Sequence, residues 1–184
     1  DRAGAGVSAN VEETEMTMQN DAVTSGRTVL VHAELGADGA LRPVVAELLG
    51  AAATVGVPEA VLVTGAATQD AAVARLGELG AARVHVLVAE DAAGTLGDAA
   101  VQALAAVTAR TAPVAVLLSG SPESRAVAGR LSVRARGPVC ADAVALRWAD
   151  DEVIARHSAF RRRALRPPAP AVRSSFTDPG TRTW

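Results

Sequence analysis

Residues 28–65 read TVLVHAELGADGALRPVVAELLGAAATVGVPEAVLVTG, and the apolar pattern changes twice within them. The runs at 28–34 and 59–65 are almost continuously apolar, whereas residues 41–56 carry apolar side chains at helical spacing. This stretch therefore predicts a strand, a helix and a second strand. Short apolar strands joined by amphipathic helices are typical of a parallel sheet with helices on both faces.

The same alternation continues along the chain and predicts further helices at 68–79, 97–112 and 122–135, with strands at 82–90 and 113–120. After Gly137 the pattern changes to a strand, a turn at Asp150–Asp151 and a second strand. Residues 169–176 read as one more strand, after a stiff proline-rich connector at 166–170. Because no helix separates these strands, we expect an antiparallel extension on the parallel sheet.

The predicted fold is thus α/β: a parallel sheet with helices on both faces, of the nucleotide-binding-like three-layer type, plus a C-terminal antiparallel extension. Residues 1–27 are polar, and we expect a flexible leader there unless a partner orders it. Residues 28–176 form the predicted domain, and residues 177–184 a C-terminal tail.

Composition limits both the core and the class of partner. Hydrophobic residues make up 49% of the chain and aromatic residues only 2%, so the core must consist of Ala, Val and Leu. All 18 basic residues are arginine, which is typical of a GC-rich bacterial genome. Residues 1–124 hold 6 Arg against 15 acidic residues, and residues 125–184 hold 12 Arg against 5. This basic final third predicts an acidic partner surface or a bound anion, and the near absence of aromatic residues disfavours nucleic acid.

Cys140 is the only cysteine, which excludes a disulfide within the chain and a cysteine-based metal site. We expect it at the start of a strand, as a small apolar side chain. No apolar run is long enough for a membrane span, and the N-terminal segment does not read as a signal peptide. These features predict a cytoplasmic location.

The segment SGSPESRAVAGRL, residues 119–131, is the one candidate binding site, because it follows a predicted strand and opens a helix. Ser121, Pro122 and Glu123 form a good helix N-terminus without any ligand. Arg125 opposes the helix dipole there, and an anion held by Ser119, Ser121, Ser124 and Arg125 would remove that conflict. Both interpretations stay open, and we expect an empty site with Arg125 paired to Glu123 or another carboxylate.

Other chemistry-bearing residues are scattered. His32 and His85 alternate with apolar residues and are expected to be packed in strands, and His157 lies in the antiparallel part. None of them has a carboxylate at metal-binding spacing. Glu34 ends the first strand, where we expect it to accept hydrogen bonds from loop amides. No serine or cysteine has an identifiable catalytic partner, so the sequence does not predict an enzyme.

Six short segments, in register, resemble the N-terminal domain of the electron transfer flavoprotein alpha subunit. They are VLVHAE (29–34), GALRPVVAELLGAA (39–52), LVTG (62–65), LGAARVHVL (79–87), VAVLLSGSPESRAVAGRL (114–131) and DAVAL (142–146). The resemblance implies a non-catalytic scaffold that pairs with a beta subunit and takes part in FAD-mediated electron transfer from dehydrogenases. It also implies that FAD binds mainly to a second domain, so we expect this chain alone to bind none.

Two other functions stay open. One is a free-standing adenine-nucleotide-binding module that uses the serines and the arginine of the 119–131 segment. The other is a regulatory protein that binds its partner through the arginine-rich final third, with strong dependence on salt.

Overall fold

The computed structural model describes residues 11–14, 26–89 and 97–157. Its strands are β1 (Val11–Thr14), β2 (Thr28–Ala33), β3 (Val57–Thr64), β4 (Arg83–Val88), β5 (Ala115–Leu117), β6 (Ala143–Ala149) and β7 (Glu152–His157). Its α-helices are α1 (Val44–Ala53), α2 (Gln69–Glu78), α3 (Asp98–Thr111) and α4 (Pro122–Ala135), and a 3₁₀ turn precedes α2 at Ala66–Thr68.

The main sheet has the strand order β1-β4-β3-β2-β5. Strands β2 to β5 are parallel, as the alternating pattern predicts. Strand β1 adds antiparallel to the outer edge of β4. It lies within the segment 1–27, for which the sequence predicts flexibility, and the rest of that segment up to residue 25 lies outside the described residues. Pairing with β1 gives partners to backbone groups at an otherwise open sheet edge.

The core lies in two layers, one on each face of this sheet. Val29 and Val31 of β2 face the layer made with α1 and α2, and Leu30 faces the layer made with α3 and α4. Every buried hydrophobic residue is Val, Leu or Ala, which confirms the composition argument for the described residues. The three-layer α/β class is therefore confirmed.

The element boundaries follow the predictions closely at the helices and less closely at the strands. Helix α4 has the predicted range, and Gly80 ends α2 with a φ of +95°, as expected of a left-handed terminal residue. Helix α1 begins only at Val44, after Pro43. Strand β5 has three residues instead of the predicted 113–120, because only Ala115–Leu117 pair with β2.

The predicted antiparallel strands are present as β6 and β7, but they do not extend the parallel sheet. Among the described strands, they form a two-stranded sheet of their own. Leu146, Trp148 and Val153 of this hairpin pack against the α1/α2 side of the core. The Arg27 guanidinium lies 3.9 Å from the centre of a Trp148 ring, a cation–π contact. Within the part of the chain that the structure describes, side-chain packing attaches the hairpin, and no hydrogen-bond ladder joins it to the main sheet.

The connector at 166–170, the strand at 169–176 and the tail at 177–184 lie outside the described residues, so the predicted domain boundaries stay predictions. Among the described helices, none has the length and apolar character to cross a membrane.

Candidate functional site

The candidate site lies at the carboxyl ends of two neighbouring strands whose following helices pack on opposite faces of the sheet. Strands β2 and β5 are neighbours, but the loop after β2 leads to α1 on one face and the loop after β5 leads to α4 on the other. The carboxyl ends of two such strands form a crevice, and α/β proteins bind ligands in crevices of this kind. The sequence-predicted segment 119–131 lies on one side of it and Glu34 on the other.

The predicted serines lie in the turn before α4, but the hydroxyls of two of them already accept hydrogen bonds from backbone N–H groups of this segment. Ser121 caps α4, because its hydroxyl accepts a hydrogen bond from the Ser124 backbone N–H at 3.1 Å. The Ser119 hydroxyl accepts from the Ser121 backbone N–H at 3.2 Å. Pro122, the first helical residue, has no N–H. Most amides that would bind an anion at this helix end are therefore already satisfied or absent.

The third serine binds a carboxylate of the protein itself. The buried Ser124 hydroxyl donates a hydrogen bond to Glu34 Oε1. The other oxygen of Glu34 accepts from Arg42 Nη1 at 3.3 Å, and the Glu34 side chain is only 10% exposed. The expectation that Glu34 binds loop amides is wrong, because its carboxylate joins α4 to the loop after β2 through side chains. A negative charge thus lies at the positive end of α4, where it is stabilised by the helix dipole.

Arg125 has its own carboxylate partner. Its Nη2 lies 2.6 Å from Asp142 Oδ1, and its Nε donates to the Gly120 carbonyl at 3.2 Å. The partner is Asp142, in the segment before β6, and not the neighbouring Glu123. The ion pair offsets the conflict between Arg125 and the helix dipole without an added anion. Because both side chains are more than half exposed, its contribution to stability is small.

His32 is the second-last residue of β2 and lies near Glu34. Its Nδ1 is 3.9 Å from Glu34 Oε1, too far for a hydrogen bond, and has no partner among the described residues. Burial lowers the pKa of His32 below its ordinary value, and the nearby Glu34 carboxylate opposes that shift. The neutral imidazole is therefore the form that the folded chain favours. His32 is packed, as the sequence predicts.

The lowered pKa of His32 predicts a pH-dependent stability. Below the ordinary value of 6.5 the unfolded chain takes up a proton that the folded chain accepts less readily. The stability associated with His32 is thus complete above that pH and is lost as the pH falls, with a slope of at most about 1.4 kcal/mol per pH unit. Urea titrations between pH 7.5 and 5 measure it. His32→Gln should flatten the slope and the exposed His157→Gln should not, and a slope unchanged in His32→Gln contradicts the assignment.

A buried polar group that the sequence analysis missed lies on the α3/α4 face. His85 Nε2 is 2.7 Å from Glu59 Oε2, and Arg110 Nη2 is 3.1 Å from His85 Nδ1. Because a guanidinium only donates, Nδ1 accepts, and Nε2 carries the proton that it donates to Glu59. The sequence spacing of these residues is 25 or 26, so only the sheet register and helix packing bring them together.

Cys140 is not at the start of a strand and not packed, which corrects the sequence expectation. It is exposed, three residues before β6, and its Sγ lies 3.0 Å from His157 Nε2. The backbone pairing of β6 begins at Ala143 and leaves Cys140 beyond the ladder. No group of three or more potential metal ligands occurs among the described residues.

The comparisons with known proteins agree with this architecture. The profile of the electron transfer flavoprotein domain matches residues 29–175, most of the chain and both sides of the crevice. The chain belongs to the electron transfer flavoprotein domain family. The family resemblance of the six short segments is thereby confirmed, and the candidate residues Ser119, Ser121, Ser124 and Arg125 all lie inside the matched range.

Proteins named electron transfer flavoprotein subunit alpha match part of the chain. The one from Mycobacterium leprae is 35% identical over 123 residues, which cover 67% of this chain and 38% of the relative. One from Mycobacterium tuberculosis is 35% identical over 111 residues, which cover 60% of this chain and 35% of the relative. The match thus spans little more than a third of each relative's length.

Proposed function

We propose that this electron transfer flavoprotein domain is the scaffold of an alpha-type subunit, which pairs with a beta subunit in FAD-mediated electron transfer. The observation that carries the proposal is the domain match over residues 29–175, together with the similarity to proteins named as alpha subunits. The satisfied polar groups of the crevice support it. In this role the chain positions other components of an electron carrier, with dehydrogenases as donors, and performs no chemistry of its own.

The hairpin β6–β7 and the basic final third form the proposed surface for the beta subunit. Leu146 and Trp148 pack toward the core, whereas Arg147 and Arg156 are exposed. Arg156 pairs in register with Ala145, and side chains two residues apart share a face, so both arginines lie on the side of the hairpin opposite Trp148. This face holds two arginines against one carboxylate, Glu152, and its net positive charge suits an acidic partner surface.

Purification of the tagged natural protein from its own cells tests this proposal. A beta-type flavoprotein subunit should co-purify, and Arg147→Ala/Arg156→Ala should weaken that association. The matched control is Arg75→Ala, which removes an exposed arginine from α2 and leaves the hairpin sequence unchanged. A natural protein that remains monomeric in the presence of the beta-type chain would contradict the proposal. Cell fractionation tests the cytoplasmic location.

The nucleotide-binding alternative is disfavoured by the crevice. The hydroxyls of Ser119 and Ser121 are used by the turn, and the Glu34 carboxylate would repel a phosphate beside Ser124. Calorimetry with AMP and ATP should therefore give no saturable heat. Saturable binding that is lost in Ser124→Ala would restore the alternative.

We also expect the chain to bind no FAD by itself. A flavin needs an extended surface for its ring system and donors for its pyrophosphate. The candidate anion turn offers few free donors, and the resemblance implies that the second alpha domain carries most of the flavin contacts. The purified chain should be colourless, without the flavin absorbance near ~450 nm. A yellow protein that keeps stoichiometric FAD through gel filtration would overturn this prediction.

A further inference from the structure

The side-chain contact between the end of β2 and the start of α4 depends on one carboxylate, and a third group lies close to it. Glu34 Oε1 accepts the hydrogen bond of the Ser124 hydroxyl, and Glu34 Oε2 lies 3.3 Å from Arg42 Nη1. His32 Nδ1 lies 3.9 Å from the same Oε1 and has no hydrogen-bond partner among the described residues. A buried polar atom without a partner is rare in folded proteins and needs an explanation.

A proton on His32 would give this atom its partner. At 3.9 Å, Nδ1 of the neutral ring and Glu34 Oε1 are too far apart for a hydrogen bond. The protonated ring donates from both nitrogens, and the carboxylate attracts its positive charge. A movement of the Glu34 side chain by about 1 Å would bring the two atoms within hydrogen-bond distance.

The protonated ring competes with Ser124 for the carboxylate. Hydrogen bonds between two charged groups are roughly twice as strong as those between neutral groups. The imidazolium would therefore be the stronger of the two donors to Glu34 Oε1, and the uncharged Ser124 hydroxyl the weaker. As Glu34 approaches His32, its hydrogen bond with Ser124 weakens.

The other described elements that pack on this side of β2 do not provide a competing charge. Val61 of β3 is the register partner of His32, and Val127 of α4 belongs to the apolar cluster on the same face. The charged residues of these elements have partners elsewhere or are exposed: Glu59 and Arg110 bind His85, Asp98 binds Arg130, and Glu123 and Arg125 are exposed. Glu34 is the charge that acts on the His32 ring, and it opposes the lowering of the His32 pKa by burial.

We propose that His32, Glu34 and Ser124 form a pH-sensitive switch between β2 and α4. With His32 neutral, Glu34 binds Ser124 and holds the first turn of α4 at the end of β2. With His32 protonated, Glu34 binds the imidazolium and releases the Ser124 hydroxyl. Arg125, in the same turn, pairs with Asp142 before β6, so the release also acts on the segment that leads into the hairpin.

The pKa of His32, measured by NMR of the imidazole in the full chain, tests the competition for Glu34. Glu34→Gln removes the negative charge and should lower this pKa. Ser124→Ala removes the competing donor and should raise it, because Oε1 is then available to the imidazolium. The matched controls are Glu123→Gln, an exposed carboxylate beside Ser124, and Ser132→Ala, a serine that binds within α4. Neither control should change the pKa of His32.

Hydrogen exchange at pH 7.5 and pH 5 tests the release of α4. The protection factors of the Ser124 and Arg125 amides should fall about fivefold at the lower pH, whereas those of residues 129–131 in the middle of α4 should not. In His32→Gln the first turn should keep its protection at both pH values. An unchanged His32 pKa in Ser124→Ala would overturn the proposal. So would first-turn protection that is equal at both pH values, or that falls equally along the whole helix. The switch does not depend on the beta subunit, so this test needs only the full chain.

Discussion

Replacing Glu59 by alanine is expected to lower the free energy of unfolding by about 3 kcal/mol. The Glu59 carboxylate accepts the Nε2 proton of His85, and both side chains are at least nine-tenths buried. Without the carboxylate, the imidazole N–H loses its acceptor in a place that water does not reach. The Arg110 guanidinium donates to the other nitrogen of the same ring, so the ring can find no new acceptor by flipping over. Urea denaturation at pH 7.5 measures the loss.

The matched control is Glu78→Ala. Glu78 also pairs with a cation, Arg75, at 2.6 Å, but both side chains are about 60% exposed. Its replacement should cost less than about 1 kcal/mol, as exposed pairs do. Glu59→Gln retains an acceptor for His85 and should lose less than Glu59→Ala. A Glu59→Ala cost as small as that of Glu78→Ala would show that the buried pair contributes no net stability.

The fold was predictable because its strongest signals are local. The strands β2 to β4 are apolar runs, and the helices α1 to α4 have apolar residues at helical spacing. The order and the type of these elements therefore follow from periodicity. The attachment of β6 and β7 was not predictable. Alternation defines a hairpin, but whether it joins a sheet edge or packs through Trp148 depends on contacts between residues such as Arg27 and Trp148, which lie far apart in sequence.

The position of the candidate segment at the start of α4 was predictable from the sequence, but the partners of its side chains were not. The pattern Ser-Pro-Glu after an apolar run correctly predicts the N-cap at Ser121. Glu34 and Ser124 are 90 residues apart, and no local pattern indicates that the Glu34 carboxylate accepts a hydrogen bond from the Ser124 hydroxyl. The same holds for the choice of Asp142, over the neighbouring Glu123, as the partner of Arg125. Helical spacing and caps are local, whereas charge pairing is decided by the tertiary fold.

The buried group around His85 and the crevice around Glu34 show two uses of acidic side chains in one sheet. Glu59 satisfies a buried imidazole on the α3/α4 face, and Glu34 neutralises the start of α4. At the crevice, the Glu34 carboxylate accepts the hydrogen bond of the Ser124 hydroxyl, and inside the core the Glu59 carboxylate accepts that of the His85 imidazole.

Replacing Trp148 by alanine is expected to release the β6–β7 hairpin from the domain while the parallel sheet stays folded. No ladder between described strands joins the hairpin to the main sheet, and Trp148 contributes both its packing on the core and its contact with Arg27. The free energy that holds the hairpin closed should fall by about 2 kcal/mol.

Hydrogen exchange followed by mass spectrometry separates this local release from global unfolding. Amides of β6 and β7 should lose protection in Trp148→Ala, while amides of β2 and β3 keep theirs, since their ladder does not involve the hairpin. Trp148→Phe retains an aromatic ring over Arg27 and should keep most of the protection. Equal loss in all four strands would show that the hairpin is part of one cooperative unit. Because the proposed beta-subunit surface includes Arg147 and Arg156, release of the hairpin should also weaken co-purification of that subunit, through a change in a residue that faces the core and not the partner.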